Sequence, residues 1–304
     1  MEAKSKIKGR VATVGTFDGL HRGHHKVLET AMILSKDSGQ KPLVVYFDRH
    51  PLETIAPEKA PACIQSPTER HDILSRNGYE SLIVEFSPEV ARLTAREWLV
   101  KMRDTHHVGT IVIGYDNTFG SDGRNMSLSD YKKLGEQLGM EVIEAPVEPG
   151  ISSSSIRKAL TAGNVEEASA MLGRPYTITG KVVRGQQIGR KLGFPTANIF
   201  IPYDKHLPAN GVYAAEAMLP DGRCLPAVVN IGHRPTLGEN GRISVEAHII
   251  HLHEDLYGAI MTLRLLKRIR PEIKFDSLDR LSEQIREDIR DTLALFFDNS
   301  QFHR

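Results

Sequence analysis

Charge of one sign is what this sequence lacks most: 39 Lys and Arg stand against 38 Asp and Glu, a formal net charge of +1. That balance removes the electrostatic case for a nucleic-acid or membrane partner, so any anion the chain holds must be gripped locally. Cysteine is nearly absent too. Cys63 and Cys224 lie too far apart in sequence to suggest a metal-ligand pair or a disulfide framework, which suits a reducing cytoplasm. No uninterrupted apolar run approaches the roughly 20 residues of a membrane span, and the basic start MEAKSKIKGR has no apolar segment behind it. The expectation is a cytoplasmic protein with no membrane or nucleic-acid partner. Neither an internal repeat nor a low-complexity tract interrupts the chain.

What is present is ordinary globular composition, 40% hydrophobic and 25% charged over 304 residues, enough for two domains with separate cores. In the first half, RVATVG (10–15), PLVVYF (42–47), SLIVEF (81–86), TIVIGY (110–115) and MEVIEA (140–145) are continuous, β-branched-rich runs of strand length, as expected for strands covered on both faces. Helix signals fall between them, starting near residues 24, 66, 94 and 127. Strand alternating with helix predicts a doubly wound parallel sheet, with Trp98 packing a helix onto it.

After about residue 175 the pattern changes. Gly, Pro and turn dipeptides separate strand-like runs without helices between them, which predicts an antiparallel barrel or sandwich. The C-terminus turns helical again, with Leu278, Leu281, Ile285, Ile289 and Phe296 on one stripe. GNVEEASAMLGRPY (163–176) reads as a connecting short helix and turn, which places domains at 1–172 and 173–304.

The stretch GTFDGLHRGHH (15–25) follows the first strand and opens a helix, so backbone N–H groups and the helix dipole would favour a phosphate there. Gly23 keeps the backbone bare so that phosphates approach between the rings of His21 and His24, which donate hydrogen bonds to growing charge. Two other readings stay open on spacing alone: His21, His24 and His25 as metal ligands, or as helix-start residues without a role. A second element, ISSSSIRKAL (151–160), sets hydroxyls and an arginine just before a helix, as a loop closing over a nucleotide needs.

Together these motifs closely resemble the adenylyltransferase half of the prokaryotic bifunctional riboflavin kinase/FAD synthetase family, within the HxGH nucleotidylyltransferase superfamily. GRKLGFPTANI (189–199), NIGHRPT (230–236), VEAHIIHLHEDLYG (245–258) and RIRPEIKFDSLDRLSEQIREDI (268–289) resemble its kinase half. The resemblance runs nearly end to end. It implies two reactions, phosphorylation of riboflavin by ATP to FMN, then transfer of AMP from a second ATP onto FMN to give FAD and pyrophosphate. It also implies Mg²⁺ with ATP as the cofactor. By the same resemblance, Gly15, Phe17, Asp18 and Gly23 surround the nucleotide, His21 and His24 meet its phosphates, and Ser153, Ser154 and Arg157 close over them. Asp116 and Asn117 are implied in flavin or nucleotide contacts. In the second half, Gly193, Phe194, Pro195, Thr196 and Asn198 are implied around ATP, with Thr196 and Asn198 as Mg²⁺ ligands and Glu246 as the catalytic base.

Without the resemblance, Glu246 reads as a solvated strand residue and PTAN as a turn before a strand. Strand alternation puts His248 on the opposite face from His251 and His253, and these three are assigned no role. Two departures stand out. Asn117 replaces the aromatic residue common in relatives, and ISSSS has serine where threonine is frequent. Two other functions compete with the bifunctional enzyme: a riboflavin kinase whose first domain only binds flavin nucleotides, and an HxGH nucleotidyltransferase whose β domain binds nucleic acid. Intact HxGH and SSSSIR elements argue against the former, and neutral charge against the latter.

Overall fold

The structure, a computed structural model, describes residues 9–39, 41–115, 117–185, 189, 192–201, 205–233 and 243–299. It divides into two compact units, residues 1–153 and 154–304.

In the first unit, β1 (Arg10–Gly15), β2 (Leu43–Phe47), β3 (Glu80–Val84), β4 (Val108–Ile113) and β5 (Glu141–Glu144) form a parallel sheet in the order β3-β2-β1-β4-β5. The five strands fall on the apolar runs, because a strand covered on both faces needs apolar side chains in both directions. β2 is buried at every position. One face carries α5 (Ala95–His106) and α6 (Leu128–Gln137), where Trp98, Leu99, Met102 and Tyr131 pack with Val14, Val45 and Ile111. On the other, Leu28 of α1 (Arg22–Ser38) and Leu74 of α3 (Pro67–Arg76) join Phe17, Val44 and Tyr46.

Reciprocal capping boxes start α3, α5 and α6, at Ser66 with Glu69, Thr94 with Glu97 and Ser127 with Asp130. Two short helices, α2 (Pro51–Ile55) and α4 (Pro88–Arg92), were not expected; five residues are too few to show a stripe, although each begins with a proline behind a side-chain cap, His50 and Ser87.

Strand order reverses beside β1, whose neighbours are β2 and β4. Loops leaving β1 and β4 at their carboxyl ends therefore diverge and open a crevice, the place where such sheets bind ligands.

In the second unit, α7 (Ser153–Thr161) and α8 (Val165–Leu172) precede a closed antiparallel barrel in the order β10-β7-β6-β11-β8-β9. Its strands are β6 (Tyr176–Val183), β7 (Ala197–Phe200), β8 (Gly211–Met218), β9 (Cys224–His233), β10 (Ile243–Ile249) and β11 (Ile260–Arg270). Alternation along β6 and β10 sends Ile178, Val182, Val245, Ala247 and Ile249 inward, where they fill the interior of a small barrel.

The last helix, α9 (Leu278–Asn299), docks through its middle: Ile289 and Leu293 pack on Val212, Val228 and Ile250. The expected stripe starts too early, since Leu278 is 61% exposed. Polar groups are buried in the seam instead. Asp288, 1% exposed, receives both Nε and Nη2 of Arg270 at 2.8 Å, a fork geometry that compensates the loss of water.

Candidate active sites

The first site is built around the loop from β1 to α1. Phe17 (φ 47) and Leu20 (φ 41) adopt the left-handed conformation that L-residues normally avoid, and both are buried. Strain of this kind persists only where the surroundings over-determine it, here through apolar packing beneath the loop. The loop is thus a rigid cradle.

His21 is the N-cap of α1. Its Nδ1 accepts from the backbone N–H of His24 at 3.2 Å, so the neutral ring carries its proton on Nε2. The rings of His21 and His24 stack with centroids 3.6 Å apart and 14° between planes, and Phe17 meets His24 edge-on at 5.2 Å. This corrects the expectation of phosphates between the two rings: at stacking distance nothing fits there, and an approaching anion meets ring edges. Gly23 is bare for another reason. A Cβ at that position would lie 3.2 Å from His21 Cε1 and Nδ1 and 3.6 Å from the Ile151 carbonyl. Gly15 likewise lies against the Phe17 ring, 3.3 Å from where its Cβ would be.

Asp18 braces the cradle. Its carboxylate accepts from the N–H groups of Ile64 and Gln65 at 3.0 to 3.1 Å, and its carbonyl accepts from Ser153 Oγ at 2.8 Å. Behind it stands Arg70, 5% exposed, whose Nη1 donates to the carbonyls of Thr16 (2.6 Å) and Phe47 (3.3 Å) and whose guanidinium covers the Tyr46 ring. Burial pulls the Arg70 pKa below the ordinary arginine value, and the Asp18 charge opposes that fall. Sequence reasoning missed Arg70. The signal was an arginine on the same helical stripe as Leu74, four residues on.

From the loop after β4, the Asn117 side-chain amide donates to the Val14 carbonyl, tying β4's loop to the end of β1 across the crevice. Asp116 lies outside the described residues. Ser154, exposed, and Arg157, half-buried, stand on α7 in the second unit, three residues apart and hence on one helical face. The Arg157 carbonyl lies 3.1 Å from His206 Nε2.

The second site lies within the barrel unit and is assembled by register. Glu246 on β10 is directly opposite Asn198 on β7 and Asn230 on β9, so three polar side chains stand level on adjacent strands. Asn230 Nδ2 contacts Glu272 Oε1 at 3.4 Å, and the Glu272 carboxylate lies against the bare Cα of Gly232. The Asn198 amide is buried against the bare Cα of Gly185, where any Cβ would overlap it, and a Cβ at Gly189 would meet the Phe194 carbonyl. Gly193 takes φ 83 and turns the chain into Phe194, Pro195 and Thr196, which lead into β7. Asn230, Glu272, Gly185 and His248 were not singled out from sequence as site residues.

His248, next on the Glu246 face of β10, is 2.9 Å from the Pro195 carbonyl through Nδ1, and burial holds its pKa below the usual histidine value despite that acceptor. The alternation expected to separate His248 from His251 and His253 does not reach them, because β10 ends at Ile249 and His251 turns to φ 62. Among the described residues no group of three His, Cys, Asp or Glu side chains is placed to hold a metal ion.

Comparison with known proteins covers both units. An FAD synthetase family model matches residues 3–155 and a riboflavin kinase model residues 172–296. The bifunctional riboflavin kinase/FMN adenylyltransferase of Escherichia coli strain K12 is 36% identical over 288 residues, 92% of this chain and 91% of that protein. The chain belongs to the bifunctional riboflavin kinase/FMN adenylyltransferase family. The Bacillus subtilis member is 34% identical over 292 residues, 94% of this chain and 92% of that one. A crystal structure described as a macrolide-efflux protein from Streptococcus pneumoniae matches with a TM-score of 0.85 at 32% identity, covering 95% of each chain. No described helix of the present family member is long and apolar enough to cross a membrane. An FAD synthetase domain is thus followed by a riboflavin kinase domain, in the order the motifs imply.

Proposed function

We propose that the two domains act in succession on one flavin, the kinase within 173–304 making FMN and the adenylyltransferase within 1–172 converting it to FAD, in the cytoplasm. The observation that supports this reading is that each unit holds its own polar cluster, the stacked His21–His24 pair at a helix start and the Asn198–Glu246–Asn230 row on the barrel.

In the kinase reaction Glu246 takes the proton of the ribityl hydroxyl as its oxygen bonds to the γ-phosphorus of ATP and the bond to the ADP oxygen breaks. Thr196 Oγ1 and the Asn198 amide oxygen are hard donors that suit Mg²⁺, and the buried Asn198 amide beside Gly185 is held as a fixed ligand needs to be. Mg²⁺ arriving with ATP supplies charge neutralisation on the phosphates. Gly193, Phe194 and Pro195 shape the turn that presents Thr196.

In the adenylyl transfer, an FMN phosphate oxygen attacks the α-phosphorus of ATP and pyrophosphate leaves. The nucleophile is already an anion, so no protein base is required. His21 through Nε2–H, His24 and the start of α1, with Ser153, stabilise charge on the phosphate oxygens; Ser154 and Arg157 are the further phosphate contacts that the resemblance implies. Gly15, Phe17, Asp18 and Gly23 form the rigid cradle, while Asn117 contributes from the loop after β4 and Asp116 is a further contact that the resemblance implies.

Complementation in trans tests the reading. With riboflavin, ATP and Mg²⁺, neither His24→Ala nor Glu246→Gln alone should make FAD at an appreciable rate, whereas an equimolar mixture should. A mixture as inactive as its components would contradict two separable sites.

A further inference from the structure

The ladder between β7 and β10 pairs Ala197–Ile199 and stops one residue short of Thr196. Pro195 has no N–H, so its carbonyl is the one backbone polar group through which that residue can be tied down. His248 supplies the tie. It stands one register step beyond Ala247, on the face of β10 that also presents Glu246, with Nδ1 2.9 Å from the Pro195 oxygen. A carbonyl only accepts, so Nδ1 carries the proton. The Phe194 ring meets the His248 imidazole edge-on, centroids 5.7 Å apart at 88°, and the Arg286 guanidinium of α9 lies over the same ring at 6.0 Å. The two residues before Thr196 are therefore held between β10 and the C-terminal helix.

We propose that His248 is a positioning residue of the kinase: by fixing Pro195 and flanking Phe194 it sets where Thr196 presents its hydroxyl to Mg²⁺-ATP. The inference deepens the reading of Thr196 as an ATP-phosphate and metal ligand and rests on it. His248 touches no reacting atom in this scheme; its effect passes through the backbone of Pro195. Loss of its side chain should leave riboflavin and Glu246 in place and loosen only the ATP end of the site.

The test uses purified full-length protein, with kinase rates at varied ATP under saturating riboflavin, at varied riboflavin under saturating ATP, and FAD formation from added FMN as the control. His248→Ala should raise the KM for ATP on the order of tenfold, the worth of one positioning hydrogen bond, with riboflavin KM and FAD formation within about twofold. His248→Asn, whose side-chain N–H can replace Nδ1–H, should recover most of the loss. An unchanged ATP KM in His248→Ala, or a uniform fall in kinase activity and thermal stability that His248→Asn does not recover, overturns the proposal. Thr196→Val separates the two layers: a raised ATP KM there beside a normal His248→Ala rejects the positioning role alone, while normal kinetics in both rejects the Thr196 reading as well.

Discussion

In the parallel-sheet unit the candidate side chains around His21 stand on loops and helix starts beyond the ends of strands, whereas the barrel carries Asn198, Asn230 and Glu246 inside strands, level with one another. The first arrangement brings its own positive field. The start of α1 offers backbone N–H groups to an anion, and the strained Phe17 and Leu20 hold them where the sheet diverges. In the barrel, β-strands have little net dipole, and the Glu246 row adds negative rather than positive charge. On the proposed reading, the row on the barrel would be complemented by a cation, while the first loop brings histidine donors and a helix start of its own. The proposal thus gives the same kind of chemistry two different sources of charge.

Substitutions that hit one source and spare the other sharpen the contrast. The largest effect is expected for His24→Ala, which removes a preorganised group and should lower FAD formation from FMN on the order of a hundredfold or more, leaving riboflavin phosphorylation near the parent rate. Glu246→Gln is the mirror case. It keeps size and polarity but removes the proposed base, so phosphorylation should slow by roughly a hundredfold while FAD formation from supplied FMN is unaffected and riboflavin still binds, as read by flavin fluorescence.

A smaller effect is expected for Gly185→Ala. Its Cβ would overlap the Asn198 amide and push that proposed ligand aside, costing about tenfold in kinase kcat/KM for ATP, with a raised metal requirement. Smallest is Asn117→Ala. Losing its hydrogen bond to the Val14 carbonyl should weaken FAD formation about fivefold, the scale of one ordinary hydrogen bond, and leave the kinase untouched. A loss of both activities in any of these variants would erase the distinction between the units.

How much of this was legible in sequence follows the same division. The five parallel strands showed as apolar runs, and the loop residues His21, Gly23 and His24 are contiguous, so their proximity needs no fold to reveal it. The barrel row is different. Asn198, Asn230 and Glu246 lie far apart in the chain and meet only through antiparallel register, which no local pattern encodes. Resemblance to relatives named two of the three; Asn230 and its Glu272 contact needed the structure.

Even within the first loop, geometry went beyond pattern. Spacing of the histidines suggested a phosphate between the rings, but the cap from His21 Nδ1 to the His24 N–H pulls the rings into a stack. His248 is a different case. Read for a metal site it had no role, and alternation, which says which face a residue occupies, says nothing of the Pro195 carbonyl just before β7.

The central claim is that one chain carries two separate sites acting in succession, and the most direct measurement is a time course of the unmodified protein with riboflavin, ATP and Mg²⁺, flavins separated at each point. FMN should rise first and then fall as FAD accumulates, with total flavin constant. FMN accumulating to completion without FAD, while free FMN added at the start is likewise left unconverted, would contradict a working adenylyl-transfer site at His21 and His24.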